Sequence, residues 1–144
     1  MAESSTGTMQ KQGTGKLMQI THLLHATLLV ADLDRARNFY ENLLGLVSDS
    51  QRPEISFAGV WYAINPNQQI HLMQLPNPAT GLRRPEHGGR DQHIALAITS
   101  LDELAQKLDA AAIRYTISQS GRRALFCRDP DDNALEFIEL PPIP

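Results

Sequence analysis

His25-Ala-Thr-Leu-Leu-Val-Ala-Asp-Leu-Asp34 and His93-Ile-Ala-Leu-Ala-Ile-Thr-Ser-Leu-Asp102 are one pattern written twice. Each opens on a histidine, runs through a short apolar and β-branched stretch that reads as a strand, and leads into an amphipathic helix. Moving forward 68 positions carries His25 to His93, Leu28 to Leu96, Val30 to Ile98, Leu33 to Leu101 and Asp34 to Asp102. A shift of 65 carries Ile70-His71-Leu72 to Leu135-Glu136-Phe137, so three residues are lost from the loops of the second half.

Working outward, residues 23–31 predict a strand with one face on a core and the other lined by His25, Thr27 and Leu29. Asp32 is placed to cap a following helix of about three turns, whose apolar positions Leu33, Ala36, Phe39, Tyr40, Leu43 and Leu44 recur at three and four. Gly45 stops it. Three β-like stretches follow at 46–50, 56–64 and 69–75, punctuated by Pro53, Asn65-Pro66 and Pro76, so the first half reads βαβββ. Residues 77–91 have no period and are rich in proline, glycine and arginine, which predicts a connecting loop.

The second half repeats the order, with strands at 93–99, 115–118, 123–128 and 134–140 and a helix at 101–112. Ser100 and Glu103 have the spacing of a capping box at the helix start. Asp129-Pro-Asp-Asp-Asn133 predicts a turn between the last two strands, with Pro130 supplying a fixed φ and Asn133 able to take a left-handed conformation. The fold class is α+β: two βαβββ modules, at about 20–76 and 92–141, forming a curved mixed sheet around a metal cavity with helices on the outer face. One domain, residues 19–144, follows a disordered tail at 1–18.

A chain of 144 residues is long enough to bury roughly 68–70% of its unfolded surface without a staple. Charged residues are 20% of the chain and the formal net charge is -3, so neither nucleic acid nor an anionic membrane is a favoured partner. A small-molecule ligand is. Residues 1–16 hold no apolar run, so no signal peptide or membrane span is read there. Met18 offers an alternative start. The single cysteine, Cys127, excludes an intramolecular disulfide, reads as a buried filler, and fits a cytoplasmic setting.

Two modules related by a pseudo-twofold bring equivalent strands together, which makes His25, His71, His93 and Glu136 four candidate metal ligands, two from each repeat. An exposed cross-strand histidine explains His71 nearly as well. His22 and Glu139 fall on the opposite faces from His25 and Glu136, and Glu139 reads as solvated. His87 lies between Pro85 and two glycines and is a candidate lid residue over bound substrate, or a plain surface-loop residue. Arg83, Arg84, Arg90, Arg122 and Arg123 are candidate partners for a substrate anion, with Arg90 first. Trp61 and Tyr62 face opposite ways on their strand, so one faces the cavity.

Together, His25 with Thr-Leu-Leu-Val-Ala-Asp-Leu-Asp-Arg, Phe39-Tyr40, Leu44-Gly45-Leu46, His93-Ile-Ala-Leu and Arg128-Asp-Pro-Asp-Asp-Asn-Ala-Leu-Glu136-Phe resemble the vicinal oxygen chelate superfamily. That group includes glyoxalase I, extradiol dioxygenases, fosfomycin-resistance proteins and methylmalonyl-CoA epimerase. The resemblance implies a divalent transition metal, one of Zn, Ni, Co, Fe or Mn, held by His25, His93, Glu136 and, where glyoxalase I has a second carboxylate, His71. Three imidazoles and one carboxylate leave a divalent ion at about +1, a stronger Lewis acid with one proton acceptor fewer.

A homodimer and a glyoxalase-like lyase or isomerase are the further implications, with Glu136 as ligand and catalytic proton shuttle and Arg90, His87 and Trp61 as substrate contacts. If His71 does not ligate, two histidines and one carboxylate remain, the set of Fe(II) extradiol-type dioxygenases. A ligand-sequestering protein of the bleomycin-resistance type is the third reading.

Overall fold

A computed structural model describes residues 15–141. Most of the expected tail, residues 1–14, lies outside them. The first module runs β1 (His25–Val30), α1 (Leu33–Arg37), a π-helical segment (Asn38–Leu43), β2 (Gly59–Asn65) and β3 (Gln68–Gln74). The second runs β4 (His93–Ile98), α2 (Leu101–Ala110), β5 (Tyr115–Ile117), β6 (Ala124–Arg128) and β7 (Ala134–Glu139). The mixed β structure is built as two sheets, ordered β1-β3-β2 and β4-β7-β6-β5, in which β1 pairs in parallel with β3 and β4 with β7. No helix among the described residues is long and apolar enough to cross a membrane.

Local departures from expectation have local causes. The stretch at 46–50 forms no strand; a lone bridge from Ser48 to Tyr62 marks its place. Only Leu46 and Val47 of that stretch are apolar, and Val47 is 77% exposed, so burial contributes little to hold it on the sheet. The first helix widens into a π turn after Arg37, then ends at Gly45, whose φ of 78° lets the Leu46 amide return to the Tyr40 carbonyl at 3.0 Å.

At the second helix, Ser100 Oγ accepts the Glu103 amide at 3.2 Å, but the other expected half of the box is absent among the described residues. Glu139 serves that helix end instead: it accepts the Leu101 amide at 2.9 Å and pairs with Arg123, so it is a cap rather than a solvated side chain. In the 129–133 turn, the left-handed residue is Asp132, at φ 65°, and not Asn133. Asn133 keeps ordinary backbone geometry while its side-chain amide reaches Asp129 at 2.8 Å and the Leu29 carbonyl at 3.4 Å.

Those bonds matter because they join the modules. Asp131 accepts the Ala31 amide and the Arg35 guanidinium, both at 2.9 Å, and the buried Tyr40 hydroxyl donates to Asp129 at 2.7 Å. Beneath this seam one hydrophobic cluster takes Val30, Tyr40, Tyr62 and Leu72 from the first module and Leu104, Leu108, Leu135 and Phe137 from the second. Cys127 is buried in it, as expected of a small filler. The even and odd positions of the strands thus part as period 2 demands, core residues on one face and histidines on the other.

Candidate metal centre

On the open face of the first sheet, register sets Thr27 and Trp61 on either side of His71. The rings of Trp61, His71 and His25 form a stack, the centre of each neighbour 4.2 Å from the next and their planes within 10° of parallel. His71 is buried in the middle, while Tyr62 points the other way into the core. Gln69 then decides the His71 tautomer. Its amide nitrogen donates to Asp49 at 3.1 Å, so its oxygen faces His71 Nε2 at 2.8 Å and makes that nitrogen the donor. The His71 pKa is held below its ordinary value by burial first, and then by the neighbouring His25 and the Arg52 guanidinium. These groups line a cleft of about 540 Å3 with Phe57 and Met73.

On the second sheet, parallel register brings Ala95 beside Glu136, and His93, two positions earlier on the same face, reaches it: Nε2 lies 3.2 Å from Oε2. His93 Nδ1 lies 2.9 Å from the Asp91 carbonyl oxygen. Because that oxygen only accepts, Nδ1 carries the proton, and Nε2 presents its lone pair to a carboxylate. Two acceptors face each other unless a cation, a proton or a metal ion, lies between them. The Asp91 carboxylate is in turn clamped by Arg128 at 2.8 Å and Arg84 at 3.0 Å, which hold its pKa down to about 2, the Arg128 bond being the largest cause.

The other Glu136 oxygen faces Arg122 at 3.6 Å. Phe126 packs edge-on against both His93 and His87, and Thr116 bonds His87 Nδ1 at 2.9 Å. His87 is therefore seated on the open face of the second sheet.

A family model described as the Glyoxalase/Bleomycin resistance protein/Dioxygenase superfamily matches residues 22–137. The chain belongs to that superfamily. Glyoxylase I 4 of Arabidopsis thaliana is 26% identical over 139 residues, which cover 93% of this chain and 79% of that one. Lactoylglutathione lyase of Haemophilus influenzae is 27% identical over 124 residues, 81% of this chain and 91% of the lyase. Among solved structures, the fosfomycin resistance protein FosX of Listeria monocytogenes, crystallised with Mn(II), shares the fold at a TM-score of 0.65 and 21% identity, covering 84% of this chain and 93% of that one.

Within this glyoxalase-superfamily fold, the four expected ligands fall into two pairs: His25 with His71, and His93 with Glu136. Among the described residues of one chain, no set of three or more His, Cys, Asp or Glu side chains is placed to hold a metal ion. The second pair fits a metal well, with a nitrogen and an oxygen donor facing each other and the distal ring nitrogen fixed by a carbonyl. The first pair fits less simply, because Gln69 occupies His71 Nε2 and leaves only Nδ1 as a lone-pair donor.

Of the expected substrate contacts, Trp61 and His87 stand on the open faces, whereas Arg90 is exposed at the end of the Gly88–Arg90 turn. Sequence reading did not single out Arg52, Gln69 or Asp91. Asp91 and Gln69 each stand two residues before an expected ligand, a spacing that on an extended chain puts them on the ligand's own face. Arg52, in an aperiodic loop, carried no such signal.

Proposed function

We propose that this protein is a metal-dependent glyoxalase-type enzyme, a lyase or isomerase acting on a small substrate with two adjacent oxygens. The His93–Glu136 pair, oriented by the Asp91 carbonyl, is the observation that carries this reading. His93 and Glu136 would hold a divalent transition ion there, and such an ion would supply Lewis acidity to the two adjacent oxygens of the substrate.

Glu136 is the one carboxylate at the centre, and its oxygen on the Arg122 side is the place for the transferred proton. Asp91 keeps the His93 tautomer fixed, and the buried His71 shields one flank from water. Each chain holds two half-sites, so a homodimer that sets the first-module pair of one copy against the second-module pair of the other completes a four-donor shell. Protein reconstituted with nickel, cobalt or zinc is expected to isomerise the glutathione hemithioacetal of methylglyoxal. No turnover with any of the three would sink this reading.

Gln69 favours a second one. With His71 Nε2 held as a donor, His25 of one copy with His93 and Glu136 of the other would make a two-histidine, one-carboxylate set suited to Fe(II) and a catechol. Fe(II)-dependent oxygen uptake with catechol separates the two, since isomerisation consumes no oxygen.

A further inference from the structure

We propose that Arg52 is a substrate-recognition residue that binds a monocarboxylate, the apolar body of the acid lying against Trp61 and Phe57. The proposal rests on the reading of the His25–His71 face as part of the substrate site, and it names the class of ligand.

Arg52 comes from the loop before β2 and lines the same cleft as His25, Trp61 and His71. It is half-buried, and its guanidinium is held rather than loose: Nη2 donates to the Phe57 carbonyl at 2.9 Å, and the guanidinium carbon lies 5.7 Å from the Phe57 ring centre. Gly59 makes room for it. A Cβ there would stand 2.9 Å from Arg52 Nη2 and 2.5 Å from the Leu72 carbonyl oxygen, so only a bare backbone lets the guanidinium settle against the strand.

A guanidinium carries five N–H donors. The single hydrogen bond to Phe57 uses one, and no carboxylate lies within ion-pair distance of Arg52 among the described residues. Arg35, Arg84, Arg122, Arg123 and Arg128 each have such a partner. A half-buried cation without a counter-charge is costly, and that cost falls when an anion enters.

The chemistry of the anion follows from the rest of the lining. Leu24, Ile55, Phe57, Trp61 and Met73 supply apolar walls, and in the metal-free protein Arg52 is the one formal charge among the described residues that line the cleft when its histidines are neutral. One positive charge matches a monoanion, whereas a phosphate dianion would leave a negative charge uncompensated among aromatic faces. A planar carboxylate also takes two parallel N–H bonds from a guanidinium. The aromatic stack beside it presents flat faces to the body of the acid.

The test uses the full chain stripped of metal with EDTA, and the fluorescence of Trp61, the single tryptophan and itself a wall of the cleft. Phenylacetate, its neutral isostere phenylacetamide and the dianion phenyl phosphate are titrated in turn, with calorimetry as a second readout. Phenylacetate should bind at least about tenfold more tightly than either of the others. Arg52→Gln should reduce phenylacetate to the level of the amide, and Arg52→Lys should keep part of the preference. Equal binding of acid and amide by the unaltered protein, tighter binding of phenyl phosphate, no binding of phenylacetate, or a preference that survives in Arg52→Gln would each overturn the proposal. With no metal present, a negative result here leaves the metal-centre reading standing, and failure to load metal leaves this one standing.

Discussion

The Tyr40 hydroxyl donates to Asp129 Oδ2 across the seam between the two modules, at 2.7 Å and fully within the core. Asp129 also accepts the backbone amides of Asp131 and Asn133 and the Asn133 side-chain amide, so all of its partners are donors. Tyr40→Phe removes one of them and should cost about 1 kcal/mol. Asp129→Asn turns an acceptor into an NH2 group facing donors and should cost about 2–4 kcal/mol. Urea denaturation of both variants checks the order, and equal costs would show that the hydroxyl rather than the carboxylate organises the seam.

Stability should fall on mild acidification through His71. Its folded pKa is depressed, by burial first, so the unfolded chain takes up the proton more readily, and the folded state loses ground as pH drops through the ordinary histidine value of about 6.5. The urea midpoint of metal-free protein is expected to decline between about pH 7.5 and about pH 5.5, and less so in His71→Phe. An unchanged decline in that variant would place the cause elsewhere.

Asp91 acts at lower pH and with the opposite origin. Arg128 and then Arg84 hold its carboxyl down to about 2, below the unfolded value, so its contribution is present above about pH 4 and lost as pH falls toward 2. Because solvent reaches the pair, Asp91→Asn should cost about 1–2 kcal/mol at neutral pH. Chemical denaturation at neutral pH and near pH 2.5 checks it: the cost of the substitution should shrink in acid.

Subunit mixing tests whether two copies complete the proposed metal centre. His25→Ala and Glu136→Ala are each expected to abolish activity. After the two proteins are unfolded and refolded together, half of the dimers should be mixed, each with one intact site of two, restoring about a quarter of wild-type turnover. A mixture as inactive as its components would mean that each centre is built within a single chain.

Period 2 in the strands and period 3.6 in the helices, repeated at a fixed offset, were enough to read two repeated modules, the full βαβββ order of the second, the core faces and the strand faces that carry His25, His71, His93 and Glu136. These patterns are local: the alternation of a strand puts His25 opposite Leu28 and Val30 whatever that strand pairs with. The stretch at 46–50 was misread for the same reason, since β propensity carries no information about whether a partner edge or buried area awaits.

What the tertiary structure decided is which side chains meet. His25 stacks on His71 because β1 and β3 pair in parallel at one register, and His93 meets Glu136 because β4 and β7 do the same. Gln69 settles the His71 tautomer only once Asp49 has oriented its amide. Arg52 enters the cleft from a loop without period, through space that Gly59 leaves open. A sequence states residue types and local direction. Neighbours across sheets and loops are set by register and packing, which exist only when the whole chain has folded.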